Sequence, residues 1–200
     1  MIELFGDATG NSNRAAIALE ESGLAYEPRK VALARGEHRG AGYLELNPTG
    51  RVPTLIDSDG PGGERFVLTQ SNAIMLYAAE KSGRMLPKDP ARRSLALQWM
   101  MQACSDVAVT SGSVFALDNF IPEKNATITE FFNTRLTNYF RVVDGRLAGR
   151  DWLADEFSVA DVALYPVVNA RKALIGNLAN LNAWRERMAA RPGVQKGMTA

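Results

Sequence analysis

Hydrophobic and polar positions follow two regimes along the chain, and they change over near residue 85. In the first, short apolar runs alternate with polar turns. Residues 2–5 alternate as a short strand ended by Gly6 and Asp7, and residues 26–33 read as the next strand. Between them, residues 14–22 are helical by propensity, with an apolar stripe at Ala15, Ile17, Ala18 and Leu19 and Gly23 as the stop. A strand, helix, strand unit makes a parallel pair through a right-handed crossover. The small and polar residues 8–13 are thereby placed at the carboxyl edge of the sheet, where ligands of α/β folds sit. Residues 36–42 are polar and glycine-rich, and residues 43–46 form a helical turn at most. Two apolar runs, 54–56 and 66–68, then read as an antiparallel hairpin, and a helix runs on from Ala73 with Ser71 or Asn72 as its cap.

In the second regime no strand follows. Ser82-Gly83 and the prolines Pro87 and Pro90 mark the boundary, after which residues 91–117 read as one long, broadly apolar helix. Residues 131–143 form a second helix, with Phe132, Leu136, Tyr139 and Val143 at near-four spacing and an end near Gly149. A third opens at Ser158, and Trp184 and Met188 mark a final one that Arg191-Pro192-Gly193 ends. The pattern predicts an α/β domain over residues 1–81 followed by an all-helical domain over residues 88–200.

The stretch from Leu46 to Ser71 organises the first domain. Pro53 cannot donate to a sheet ladder, so it belongs at the first position of its strand. With a cis Val52-Pro53 bond, the Val52 N–H and C=O point away from the sheet, where an extended peptide ligand can bond to both. The second hairpin strand runs directly into a helix N-terminus, whose free N–H donors and partial positive charge suit a carboxylate. From the local pattern alone, the plainer reading of Ser71 is that it only caps its own helix.

Composition narrows the chemistry. The 200 residues are 46% hydrophobic and 22% charged, ordinary globular material with room for two small domains. Lys+Arg 23 against Asp+Glu 22 leaves a net charge of +1, with basic pairs scattered, so no nucleic-acid footprint is present. One cysteine, Cys104, excludes an internal disulfide and a C-x-x-C pair, and its apolar helical setting reads as a buried, inert thiol. One histidine, His38, argues against a histidine-built metal site. No stretch reaches the ~18–20 apolar residues of a membrane span, and Glu3 and Asp7 sit where a signal peptide would be basic and apolar. A soluble cytoplasmic protein without metal is expected. Ser158-x-x-Asp161 has capping-box spacing, which favours a structural role for Asp161 over that of a catalytic acid.

Asn47-Pro48, Val52-Pro53, the helix-opening Gln70-Ser71 and Ser158-Val159-Ala160-Asp161, in this order and spacing, resemble the cytosolic glutathione transferase superfamily across essentially the full length. The resemblance implies a thioredoxin-like amino-terminal domain, an all-helical carboxy-terminal domain, glutathione as co-substrate, and a homodimer with sites at the domain boundary. It implies that Val52, beside a cis Pro53, bonds the cysteinyl backbone of glutathione. Gln70 and Ser71 then hold the γ-glutamyl end, and His38 and Arg51 lie near the glycyl carboxylate.

Many members of that family hold the glutathione sulfur with Tyr, Ser or Cys in the loop after the first strand; the aligned position here is Gly10, and the loop offers Thr9, Asn11 and Ser12. Thr9-Gly10-Asn11 is similar to the Thr-Pro-Asn of the bacterial nu class, in which Thr and Asn face the sulfur. The segment from Gly36 to Arg39 looks like that of the yeast nitrogen-regulator relative. The resemblance thus makes Asn11 and Thr9 the catalytic candidates and leaves open which of the three loop residues touches the sulfur. It implies a detoxifying glutathione transferase, with disulfide reductase or peroxidase activity open, acting on a small electrophile or disulfide. The alternative is a non-catalytic glutathione-binding or regulatory module on the same fold.

Overall fold

The computed structural model describes residues 1–200. Its sheet is built outward from the first strand, β1 (Ile2–Gly6), which lies between β2 (Tyr26–Lys30) and β3 (Thr54–Asp57), with β4 (Phe66–Thr69) outside β3. β1 and β2 run parallel, as expected for strands joined through a helix, and the β1–β3 and β3–β4 pairs are antiparallel. Helix α1 (Gly10–Ser22) is the crossover; α2 (Ala41–Leu46) leads towards β3, and α3 (Ser71–Ser82) follows β4. Ala15 to Leu19 of α1 and Ile74, Met75, Ala78 and Ala79 of α3 are buried, and the two helices pack together. This is the thioredoxin-like arrangement, a mixed four-stranded sheet with helices on its apolar faces.

Two local boundaries differ from the sequence expectation for physical reasons. β2 stops at Lys30, because the N–H groups of Ala32 and Leu33 turn out of the ladder to the carboxylates of Glu37 (2.7 Å) and Asp7 (2.9 Å). α1 begins at Gly10 and not at Arg14, because Thr9 is its N-cap and accepts the Ser12 N–H at 3.1 Å. Asn11 and Ser12 are therefore in the first helical turn.

The chain divides into two compact units, Met1–Met85 with Arg191–Ala200, and Leu86–Ala190. The sequence pattern assigns residues 88–200 to one helical domain and ends the last helix at Arg191-Pro192-Gly193. In the structure Pro192 opens a further helix, α9 (Pro192–Gly197), which packs on α1. Proline at a first helical position is favourable, since its missing N–H would have no helical partner there. Arg191 secures the segment through a paired contact with Glu21, at 2.9 and 2.6 Å.

The second unit is helical throughout. The expected single helix over 91–117 is α4 (Pro90–Gln102) and α5 (Ala108–Asn119), joined by a π-helical turn at Ala103–Val107. Cys104 lies in that turn and is half-buried, not fully buried as its apolar neighbours suggested. α6 (Ala126–Leu147) is longer than expected, and it buries Leu136, Phe140, Val143 and Leu147, not Phe132 and Tyr139. Helix α7 (Val159–Ala170) is buried from Val159 to Val168, and α8 (Ala179–Ala189) covers part of it.

The capping box at the start of α7 is the polar hub of this unit. Asp161 accepts from Leu153 N–H (3.2 Å) and Trp184 Nε1–H (2.8 Å) on one oxygen, and from Ser158 N–H (3.0 Å) and Oγ–H (3.3 Å) on the other. Burial pushes its pKa up to about 6 against the pull of these four donors. The structural reading of Asp161 is the one the structure shows. No helix is long and apolar enough to cross a membrane.

Candidate functional site

Sheet register gathers the candidate residues at one edge of the first unit. Phe5 pairs with Thr54 and Thr54 with Thr69, so the next residues outward on β1, β3 and β4 are Gly6, Pro53 and Gln70. Neighbouring strands lie ~4.8 Å apart, which puts the loop after β1, the Val52-Pro53 dipeptide and the start of α3 side by side.

Val52-Pro53 is cis. Val52 is buried against Val31 and Tyr43, with Phe5 and Leu33 alongside. Its N–H and C=O make no hydrogen bond within the chain. The preceding carbonyl is held firmly: Arg51 C=O accepts from Tyr43 Oη (2.8 Å) and Asn47 Nδ2 (2.6 Å). Tyr43 also meets Thr54 Oγ1 at 2.9 Å. Two buried side chains thus set the backbone just before Val52, and its own polar pair is left open.

At the other side of this pair, Gln70 is the N-cap of α3, with φ 72 and ψ 113. A side-chain-bearing residue in the positive-φ region costs ~1–3 kcal/mol and persists only where its surroundings impose it. No side chain caps α3. Ser71 is the first helical residue, 6% exposed, with its hydroxyl 3.4 Å from Asn72 Oδ1. The expectation that Ser71 or Asn72 caps the helix is therefore corrected: the cap position belongs to Gln70, and the helix end remains open to an anion. Arg14 reaches Asn72 Oδ1 at 3.3 Å and ties this end of α3 to α1.

The loop after β1 is tightly bonded. Asp7 accepts from Ala8 N–H (2.9 Å) and Leu33 N–H (2.9 Å), and these bonds, that of Leu33 first, hold its pKa below the usual value. Thr9 accepts the Ser12 N–H and donates its own hydroxyl to Ser12 Oγ at 3.0 Å. Ser12 Oγ also accepts the Asp7 N–H at 3.3 Å. Of the two catalytic candidates, then, Asn11 is exposed and has its amide free, whereas the Thr9 hydroxyl is occupied within the loop.

His38 is half-buried on a single 3₁₀ turn, Glu37–Arg39, with Nδ1 buried and unpartnered. Its carbonyl lies so close to Gly50 that a Cβ there would come within 3.1 Å, and the neighbouring Arg51 side chain is exposed. Tyr43 is the positioning residue that motif reading passed over; Ser12 and Asn47 stand within the motifs, but the side-chain bonds they make are not legible there. The Thr9-x-x-Ser12 spacing, that of a helix N-cap, signals only the bond from the Ser12 N–H to Thr9.

Against known protein families, residues 10–81 match the glutathione S-transferase N-terminal domain and residues 101–192 the glutathione S-transferase C-terminal domain. The chain is 30% identical over 203 residues to the disulfide-bond oxidoreductase YfcG of Escherichia coli, covering 99% of this chain and 94% of that one. It is 27% identical over 214 residues to the disulfide-bond oxidoreductase YghU of the same organism, covering 98% and 73% respectively. A Pseudomonas putida glutathione transferase, solved with one glutathione disulfide bound per subunit, superposes with a TM-score of 0.93 at 31% identity, covering 98% of this chain and 90% of that one. With both domain models matched in order and a relative 30% identical over nearly the whole of both chains, this chain belongs to the cytosolic glutathione S-transferase superfamily.

Proposed function

We propose that the protein is a glutathione-dependent enzyme that ionises the thiol of bound glutathione and directs it at an electrophilic carbon or a disulfide. The observation that carries this reading is the unpartnered Val52 N–H and C=O beside the uncapped N-terminus of α3. A γ-linked tripeptide supplies what both lack. Its cysteinyl backbone answers the Val52 pair as an added strand does, and its γ-glutamyl carboxylate answers the helix end, with Ser71 and Gln70 around it. His38, whose carbonyl lies against Gly50, and Arg51, the residue after that glycine, are the groups we assign to the glycyl carboxylate, which a cationic or hydrogen-bonding side chain suits.

The sulfur then lies towards the loop after β1. A thiol of ordinary pKa near 8.5 must fall by ~1.5 units to be half ionised at neutral pH, about 2 kcal/mol of preference for the thiolate. Neutral donors supply this by bonding to the charged form alone. The exposed Asn11 amide is the donor at hand, with Thr9 as the second. Attack of the thiolate on carbon expels a leaving group and forms a thioether; attack on a mixed disulfide expels the other thiolate and forms glutathione disulfide. We further propose a homodimer, from family membership.

The test is a substrate panel on the purified protein, comparing an aryl halide, an organic hydroperoxide and a glutathione mixed disulfide, together with ultraviolet titration of the bound thiol. A lowered thiol pKa with a rate above buffer on at least one class is expected. Binding without a rate on any class would leave a glutathione-binding module in place of an enzyme.

A further inference from the structure

We propose that Ser12 is a positioning residue for the sulfur site, relaying a hydrogen bond to Thr9 that turns the Thr9 hydroxyl proton outward to the bound sulfur. The inference rests on the glutathione reading above and adds a supporting hydroxyl behind the one that meets the sulfur.

Donors and acceptors around Ser12 do not balance. Ser12 Oγ accepts twice, from Asp7 N–H at 3.3 Å and from Thr9 Oγ1–H at 3.0 Å. Its own proton has no acceptor, although Ser12 is only 4% exposed. Leaving a buried donor unpaired is unfavourable. In the structure Thr9 is the donor of the bond between the two hydroxyls, and the proposed relay needs both hydroxyl protons to rotate so that Ser12 donates instead. Reversed, Ser12 donates to Thr9 Oγ1, which already accepts the Ser12 N–H at 3.1 Å and has a second lone pair for this bond. The buried proton is then paired, and Thr9, which is partly exposed, has its own proton free. A thiolate beside Thr9 is the acceptor that favours the reversed state. No proton leaves either hydroxyl; two O–H bonds rotate.

Steric detail supports a built contact. A Cβ on Gly6 would lie 3.1 Å from Ser12 Oγ and 3.2 Å from Ser12 Cβ, so the absence of a side chain at Gly6 lets Ser12 sit against the end of β1. Gly10, which has neither ring nor Cβ, does not stiffen the loop. The reciprocal bonds between Thr9 and Ser12 hold both ends of the Gly10-Asn11 segment.

The experiment titrates the thiol of glutathione bound to the full chain by its ultraviolet thiolate absorbance, with affinity measured separately by calorimetry. In Ser12→Ala the affinity is expected to stay within about three-fold. The thiol midpoint should rise by about half a unit, a roughly three-fold smaller thiolate fraction below the midpoint. In a Thr9→Val background, Ser12→Ala should add nothing, because the relay has already lost its terminal donor. If Ser12→Ala folds poorly, the paired variant Ser12→Gly with Gly6→Ala moves the methyl across the contact and should raise the midpoint likewise. A midpoint equal to the wild type, or equal effects of Ser12→Ala with and without Thr9, overturns the relay. A wild type that binds glutathione with a depressed midpoint alongside an unchanged Ser12→Ala sinks only this inference. A wild type with no depression sinks the reading beneath it as well.

Discussion

Replacing Asp161 with asparagine tests the polar hub of the helical unit through its pH dependence. Wild-type Asp161 accepts four hydrogen bonds, two on each oxygen, and is fully buried. An asparagine supplies one accepting oxygen and one NH₂ group. Facing Leu153 and Trp184 with its oxygen, it turns the NH₂ to Ser158. The Ser158 hydroxyl can rotate to accept, but the Ser158 N–H is orphaned, at a cost of about 1–3 kcal/mol at pH 7. Titration adds a second term of known sign. Burial raises the folded pKa from the ordinary 3.8 to about 6, so between these values the folded state holds more protons than the unfolded state. The stabilisation from this proton is fully present below the unfolded pKa and is lost as pH rises through about 6. Integrated from pH 7 down to pH 4, it amounts to about 2 kcal/mol. The substituted amide has no such proton, so the stability gap between wild type and Asp161→Asn should widen by that amount on acidification. Urea unfolding of both proteins at pH 7 and pH 4, analysed as a difference so that other carboxylates cancel, measures it. A gap that is constant or narrows in acid refutes the linkage.

Further outcomes follow from single contacts. Asn11→Ala should lower the rate on the best substrate by roughly ten-fold or more with glutathione affinity preserved, since a donor to the thiolate is lost while the backbone contacts remain; steady-state kinetics beside calorimetry decide it. Ser71→Ala should weaken retention on immobilised glutathione by roughly ten-fold, the loss of one charge-assisted bond, and unaltered retention would remove Ser71 from the site. Gln70→Gly should raise the melting temperature by relieving φ 72 while lowering glutathione affinity; a fall in both would show that the strain is not stored there. In Gly197→Ala the new Cβ meets Ile17 N and lies 2.6 Å from Ile17 Cα, both backbone atoms of α1. The helices must separate, and a loss of about 1–3 kcal/mol in urea unfolding is expected.

The reach of sequence reasoning differs by element. The mixed sheet is legible because period-two runs and a glycine-closed helix specify strand, helix, strand, and because proline places the edge of β3. Gln70 shows where legibility ends. The sequence marks it as the residue before a helix, yet its positive φ, taken up at the residue after the last β3–β4 pair, is invisible to propensity. α9 escapes the pattern because Arg191-Pro192-Gly193 is equally a stop and a start. What decides is the small Gly197 seated on α1 and the Glu21 carboxylate held by Arg191, both remote in sequence. The π turn at Ala103–Val107 is hidden because Ala103-Cys104-Ser105-Asp106-Val107 carries no glycine or proline to interrupt the helical pattern.

Thr9 carries the sharpest lesson about reading chemistry from a motif. Similarity to a Thr-x-Asn loop makes Thr9 and Asn11 equivalent donors, but the folded loop separates them. Asn11 projects from the first turn of α1 with its amide free, whereas Thr9 must also cap that helix. A hydroxyl has two lone pairs and one proton, so capping consumes an acceptor and leaves the proton for other use. The two duties are compatible only if another donor replaces the bond Thr9 now makes, and Ser12 is the hydroxyl within reach. Of the loop's two hydroxyls and one amide, then, the helix it begins requires only the Thr9 oxygen as its cap, and on the proposed reading the Asn11 amide and the Thr9 proton are what the loop has to offer a sulfur.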